Sequence, residues 1–296
     1  MAPPLGGTDA MPSGGTAAPV AGTAPMAGTM SMTGGTGGTS APPAGDAVPS
    51  DGCGNMDFPE DGAQSIDVGG TQRDYVVELP AGYDPTRPYR LVFVWHGLGG
   101  TATMTARSWF GLAAHAQDSA IFIAGQALQG GSQSGFTSWA IAPDESDIDF
   151  VRAMLAWAEA SYCVDTARVF SAGMSNGGMM ANIVGCELGD VFRATAAMSG
   201  GGPRGYAKMP CVGQVAVWIS HGNMDDNVPF SYGEASRDYW ANANGCTEQT
   251  QPVAPDPCIE FQGCDDGFPV DFCEFDGGHM IPTFAAEGAW NFFARF

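Results

Sequence analysis

From residue 91 onward, short runs of consecutive apolar residues alternate with stretches in which apolar residues return every third or fourth position. Leu91-Val-Phe-Val-Trp95, Ala120-Ile-Phe-Ile-Ala124 and Val215-Ala-Val-Trp-Ile-Ser220 have almost no polar alternation. A strand of this kind is buried on both faces, as in the middle of a parallel sheet. Arg168-Val-Phe-Ser-Ala172 reads as a further strand. Helical spacing runs over Asp147–Ala160, whose early acids suit the positive end of a helix dipole, and over Asn176–Gly185, Ser231–Ala243 and Glu287–Phe293. Trp109–Gln117 reads as a shorter helical stretch. Upstream, Ile66-Asp-Val68 and Thr71–Leu79 flank Gly69-Gly70, which predicts a β-hairpin. Strands alternating with helices at these intervals predict a mostly parallel central sheet with helices on both faces. Ligands of such sheets bind beyond the carboxyl ends of the strands.

Residues 1–50 have no such pattern. They are almost entirely Ala, Pro, Gly, Thr, Met and Ser, contain no Lys or Arg, and include only the acids Asp9 and Asp46. With no apolar face to bury, the segment has nothing to offset its ordering entropy and is expected to be a disordered linker. It has neither the basic start nor the apolar centre of a signal peptide. All seven tryptophans and all eight cysteines lie beyond it, so residues 51–296 are expected to form one α/β domain.

The charge narrows the set of partners. Thirty-two acids against 11 basic residues give a net charge of −21, which disfavours nucleic acid and anionic membrane surfaces. No apolar run approaches the roughly 18 residues of a membrane span. Eight cysteines, with no Cys-x-x-Cys and only four scattered histidines, point to disulfides rather than a metal site. Disulfides imply secretion, with an export signal expected outside this sequence. Cys258 and Cys273 fall on two strands joined by the Gly263–Pro269 turn and face each other if those strands pair. Cys163 precedes the strand leading to Ser175, and Cys186 ends the helix after it. Both return to the sheet edge opposite the site, so a Cys163–Cys186 bridge is expected.

Gly173-Met-Ser175-Asn-Gly177 follows a predicted strand and opens a predicted helix, the setting of a nucleophile elbow. A serine hydroxyl needs a base within reach. His115 lies in a helical stretch, and His96 and His221 belong to His-Gly steps at strand ends that suit loop-holding hydrogen bonds. His279, after Gly277-Gly278 on a loop at the carboxyl edge, is the candidate base. The orienting carboxylate is expected between serine and histidine in the chain. Asp225 and Asp226 both qualify, and spacing does not separate them. Asp276, only three residues from His279, is less suited. Asn176, the residue after the nucleophile, is expected to supply one oxyanion N–H. The second is assigned to Leu98 in the glycine-rich loop after the first central strand, with Gly97 and Gly99 as its neighbours.

Several runs are similar to those of a known family. They are Tyr83-Asp-Pro-Thr-Arg-Pro-Tyr-Arg-Leu-Val-Phe-Val-Trp-His-Gly, Cys163 through Gly178, His221-Gly-Asn-Met-Asp225, Asn244-Gly-Cys-Thr247 and Phe275-Asp-Gly-Gly-His279. In this order they resemble secreted esterases that include feruloyl esterases and polyhydroxybutyrate depolymerases, over about residues 51–296. The resemblance implies an α/β-hydrolase fold and a Ser-His-Asp triad, with the family's His-Gly-x-x-Asp motif falling on Asp225. It also implies a Cys246–Cys264 bridge, which leaves Cys53–Cys211 by elimination. The segment from Asn244 to His279 looks most like fungal feruloyl esterases, while the Asn-Gly after Ser175 is nearer the depolymerase branch. Met280-Ile-Pro stands where relatives often have Thr-Trp-Pro. The expected activity is that of a serine carboxylesterase, first on hydroxycinnamoyl esters of plant polysaccharide and second on short polyesters. No metal or organic cofactor is expected. A protein of this fold that only binds carbohydrate or adheres to surfaces would not need all three triad residues.

Overall fold

The apolar runs occupy the centre of a ten-stranded sheet. The computed structural model describes residues 45–296. Its strands are β1 (Gly62–Val68), β2 (Thr71–Glu78), β3 (Tyr89–Trp95), β4 (Ala120–Gly125), β5 (Val164–Met174), β6 (Ala194–Met198), β7 (Ala216–Gly222), β8 (Thr250–Pro252), β9 (Cys258–Phe261) and β10 (Val270–Phe275). They lie in the order β1-β2-β4-β3-β5-β6-β7-β10-β9-β8. The six strands from β4 to β10 are parallel, and the pairs at either margin are antiparallel. This is the α/β-hydrolase fold.

Successive side chains of a strand point to opposite faces, so each central strand contributes to two cores. Leu91, Phe93 and Trp95 of β3 join Phe150, Met154, Met180 and Val184 on one side. Val92 and Val94 join Leu112, Phe122, Trp290 and Phe293 on the other. Burial of each such side chain contributes roughly 1.5–3 kcal/mol. The first face is covered by α3 (Ser146–Ser161), α4 (Asn176–Glu187) and α5 (Phe230–Ala243), and the second by α6 (Ala285–Phe293) with the short helices α1 (Ala102–Ala106) and α2 (Leu112–Ala116). Among the described residues no helix is long and apolar enough to cross a membrane.

Three local features differ from the sequence reading. Trp109–Gln117 is broken: Trp109–Gly111 forms a 3-10 turn before α2, with Phe110 at φ 54° and Gly111 at φ 85°. Trp109 is anchored by donation from its indole N–H to Glu78 (2.6 Å), and a Cβ at Gly111 would lie 2.8 Å from Ala286 of α6. Strand β6 was not anticipated, because Ala194-Thr-Ala-Ala-Met198 lacks the branched and aromatic residues that mark strands. Of the expected linker, residues 1–44 lie outside the described residues. Residues 45–50 run beside β5, where Val48 N–H donates to Asp165, Ser50 N–H donates to the Val164 carbonyl, and Arg168 donates to the Gly45 carbonyl.

All eight cysteines are paired, and four bridges suit an oxidising, extracellular setting. Cys258–Cys273 joins residues directly opposite in the β9–β10 ladder, and Cys246–Cys264 is also present. The expected Cys163–Cys186 bridge does not form. The crossover carries α4 sideways over the sheet: a Cβ at Gly185 would lie 2.8 Å from Thr195 of β6 and 3.2 Å from Val215. Cys186 is thereby moved away from β5 and meets Cys211 on a loop whose Val212 N–H donates to the Cys186 carbonyl. Cys163 pairs instead with Cys53, brought to it where Gly52 packs on the Tyr162 backbone and donates to the Glu159 carbonyl. Cys53–Cys211 falls with the same correction. Peptide mapping without reduction is expected to recover Cys53 linked to Cys163 and Cys186 linked to Cys211. Recovery of a Cys163–Cys186 peptide would contradict the position of α4.

Candidate active site

Ser175 stands between β5 and α4 with φ 60° and ψ −122°, a backbone conformation that costs on the order of 1–3 kcal/mol for a residue with a side chain. The turn survives because its neighbours are bare. A Cβ at Gly173 would collide with the Gly177 carbonyl, and a Cβ at Gly177 would collide with the Trp95 and His96 carbonyls. On the β6 side, a Cβ at Gly178 would lie 2.9 Å from the Met198 carbonyl. Donation from Ser175 N–H to the Met198 carbonyl (2.8 Å) ties the turn to β6. The helix can therefore start against the strand ends, with its N-terminus behind the serine.

Asp225 and His279 come from two other strand ends. The loops after β7 and β10 are clamped together, with Asn223 N–H donating to the Phe275 carbonyl and Met224 N–H to the Gly277 carbonyl, both at 3.0 Å. Gly222 allows this approach, since a Cβ there would meet the Gly277 and Gly278 carbonyls. His279 Nε2 lies 2.7 Å from Ser175 Oγ, and His279 Nδ1 lies 2.7 Å from Asp225 Oδ2. The structure thus brings together Ser175, His279 and Asp225. Asp226 is exposed, and Asp276 turns away to accept a hydrogen bond from Asn223.

The second carboxylate oxygen of Asp225 accepts from the N–H groups of Asn227 and Val228, both at 2.9 Å. Burial pushes this carboxyl upward, but the His279 hydrogen bond and the two amides outweigh it and hold it below the ordinary carboxylate range. An ionised Asp225 keeps the His279 proton on Nδ1 and leaves the Nε2 lone pair facing the serine. The arrangement can therefore take a proton from Ser175 and stabilise the imidazolium that results.

The two His-Gly histidines hold loops around this centre. Burial lowers the pKa of each, keeping both neutral. His96 Nδ1 donates to the Gly97 carbonyl and Nε2 accepts from Ala127 N–H. His221 Nε2 donates to the Val228 carbonyl at 2.8 Å and lies 3.4 Å from Asp225 Oδ2. It thus braces the loop that presents Asp225. Trp139 was not anticipated. Its indole N–H donates to the His96 carbonyl and its backbone N–H to Asn176 Oδ1, joining the glycine-rich loop to the start of α4. Nothing in the local pattern around Trp139 signals that role, because both partners are more than 35 residues away.

Ser175, His279, Leu98 and Asn176 line one cleft of about 750 Å³, with Ile141, Met174, Met179 and Val228 supplying apolar surface. The N–H groups of Gly99 and Gly100 are committed to the Thr137 and Gly97 carbonyls.

Feruloyl esterase C of Emericella nidulans is 33% identical over 263 residues, covering 82% of this chain and 90% of that protein. The chain belongs to the feruloyl esterase family. Feruloyl esterase D of Neurospora crassa is 30% identical, with 84% and 91% of the two chains covered. Residues 130–201, which hold β5, the elbow, α4 and β6, match the prolyl oligopeptidase family model. Among solved structures, an acetyl xylan esterase from Aspergillus awamori shares the fold at a TM-score of 0.61 and 17% identity, covering 79% of this chain and 99% of its own. As a member of the feruloyl esterase family, the chain is a serine carboxylic ester hydrolase.

The close approach of Gly177 to Trp95 gives a direct test. Gly177→Ala is expected to destabilise the protein by roughly 2 kcal/mol or more through overpacking and to abolish esterase activity with it. Thermal unfolding and turnover of a nitrophenyl ester check this. Unchanged melting and turnover would mean that the elbow is not held by that contact.

Proposed function

We propose that the protein releases hydroxycinnamic acids from their esters on plant polysaccharide, with Ser175, His279 and Asp225 as its catalytic residues. The observation that carries the mechanism is the unbroken Ser175–His279–Asp225 hydrogen-bond path, 2.7 Å at each step. As the Ser175 oxygen attacks the ester carbonyl, its proton passes to His279 Nε2. Asp225 fixes the tautomer and offsets the imidazolium charge. The N–H of Asn176, at the start of α4, and that of Leu98 receive the oxyanion; the next N–H along the loop, that of Gly99, already donates to the Thr137 carbonyl. Collapse of the tetrahedral intermediate expels the alcohol, which takes the proton from His279 and leaves an acyl-Ser175 ester. Water, deprotonated by His279, attacks that ester. The acid departs as Ser175 regains its proton. Side chains and water supply every step, so no cofactor is called for.

Two features support the hydroxycinnamoyl substrate. The relatives that cover most of this chain are named for feruloyl ester cleavage. The apolar walls at Ile141, Met174, Met179 and Val228 also suit a flat aromatic acyl group next to the nucleophile. The net charge of −21 favours neutral esters over nucleic acid or anionic surfaces as partners.

With methyl ferulate as substrate, Ser175→Ala and His279→Ala are each expected to lower kcat by on the order of 10⁴-fold or more, with folding intact. Asp225→Asn is expected to cost on the order of 10³–10⁴-fold, because it disturbs the tautomer, and Asp226→Asn less than tenfold. Steady-state kinetics and melting temperatures of the four variants check this. Full activity in Ser175→Ala, or a larger loss at Asp226 than at Asp225, would overturn the assignment.

A further inference from the structure

The cleft at Ser175 continues beyond its own rim. Tyr206, on the loop after β6, lines that cleft and also a second cavity of about 790 Å³. One wall of the second cavity is a face of α5 carrying Tyr232, Ala235, Asp238, Tyr239 and Asn242. These positions recur at helical spacing, while Gly233, Ser236 and Trp240 on the other face are buried. Tyr232 to Asn242 spans ten residues, about 15 Å of helix. The wall is therefore a groove, long enough for several units of a chain.

The opposite wall is made of backbone. Gly202 and Gly205 hold φ of +109° and +84°, where side chains are strained, and a Cβ at Gly201 would lie 3.2 Å from that of Tyr232. The α5 face and a glycine-rich loop carrying Arg204 and Tyr206 thus line the groove together. Three tyrosines provide flat apolar faces tipped with hydroxyls. Asp238, Asn242 and Arg204 provide donors and acceptors around them. One acid and one base, Asp238 and Arg204, line the groove, and the Asp238 carboxylate accepts from Arg237 Nε at 2.8 Å, so the lining carries no net charge on a strongly acidic protein. Tyr232 is 46% exposed.

A ligand that suits this lining offers apolar C–H faces, hydroxyl edges and no charge, in an extended shape. We propose that the α5 groove is a carbohydrate subsite that holds the neutral polysaccharide chain while Ser175 acts on the ester it bears. This rests on the esterase reading above. Tyr206, shared by both cavities, stands where the sugar chain would hand its acyl branch to the catalytic cleft.

Calorimetric titration of the full chain with an unesterified, neutral arabinoxylo-oligosaccharide reads the groove without turnover. Saturable binding is expected. Tyr232→Ala is expected to weaken it at least tenfold and Arg204→Ala at least threefold, with melting temperatures measured for both. Methyl ferulate hydrolysis by the wild-type protein is measured alongside. If the wild type hydrolyses methyl ferulate but does not bind the oligosaccharide, or if both folded variants bind like the wild type, the subsite is overturned and the esterase reading stands. Tighter binding of an oligogalacturonide of similar length would overturn the assignment to a neutral chain. If the oligosaccharide binds as expected but methyl ferulate is not cleaved, the esterase reading fails, and the substrate role of the groove fails with it.

Discussion

The contact between Gly177 and the carbonyl groups at the end of β3 controls where everything else in the site can lie. It lets α4 begin directly against the sheet, which forces the chain through a turn so tight that Ser175 adopts φ 60°. The strain is held by the tertiary structure on both sides: by the Met198 carbonyl of β6, and by an apolar core in which β3 and β5 are buried on both faces. The same turn sets the N-terminus of a 12-residue helix, with its positive dipole end, directly after Ser175. Backbone strain at Ser175 and the placement of the helix N-terminus are thus two consequences of one close approach.

The clamp between the β7 and β10 loops does the corresponding work for the other two residues. Because β7 and β10 are neighbours in the sheet, their following loops exchange backbone hydrogen bonds, and Asp225 and His279 are set against each other before any substrate arrives. Asp225 is buried, yet three hydrogen bonds keep it ionised, and the neutral His221 braces its loop from the inside. Burial alone would favour the protonated acid, which could not orient His279 in the required tautomer. Preorganisation of this kind is a main resource of hydrolytic sites.

Much of this is legible in the order of residues, for physical reasons that also mark the boundary. Strands buried on both faces must be continuously apolar, so β3, β4 and β7 declare themselves. An elbow needs small residues at fixed offsets around its serine, so Gly173, Ser175 and Gly177 do the same. Strand β6 does not, because Ala194-Thr-Ala-Ala-Met198 carries little strand preference. Asp225 and Asp226 have the same local setting, and burial is what separates them; the family resemblance points to Asp225, the one whose carboxylate lies 2.7 Å from His279. The cysteines mark the sharpest limit. Cys258 and Cys273 are linked through a local hairpin and could be paired from pattern, whereas the partners of Cys163 and Cys186 depend on the sideways displacement of α4 across the sheet. That displacement is a property of the crossover, and no residue in either segment encodes it alone.

The central claim is that Ser175, raised by the elbow, carries the acyl group of a hydroxycinnamoyl ester during turnover. Mass spectrometry of the protein quenched in acid milliseconds after mixing with excess methyl ferulate tests it most directly. A feruloyl adduct on the peptide containing Ser175, absent from Ser175→Ala, is the expected result. Steady hydrolysis with no adduct under conditions that trap one, or an adduct on another residue, would contradict it.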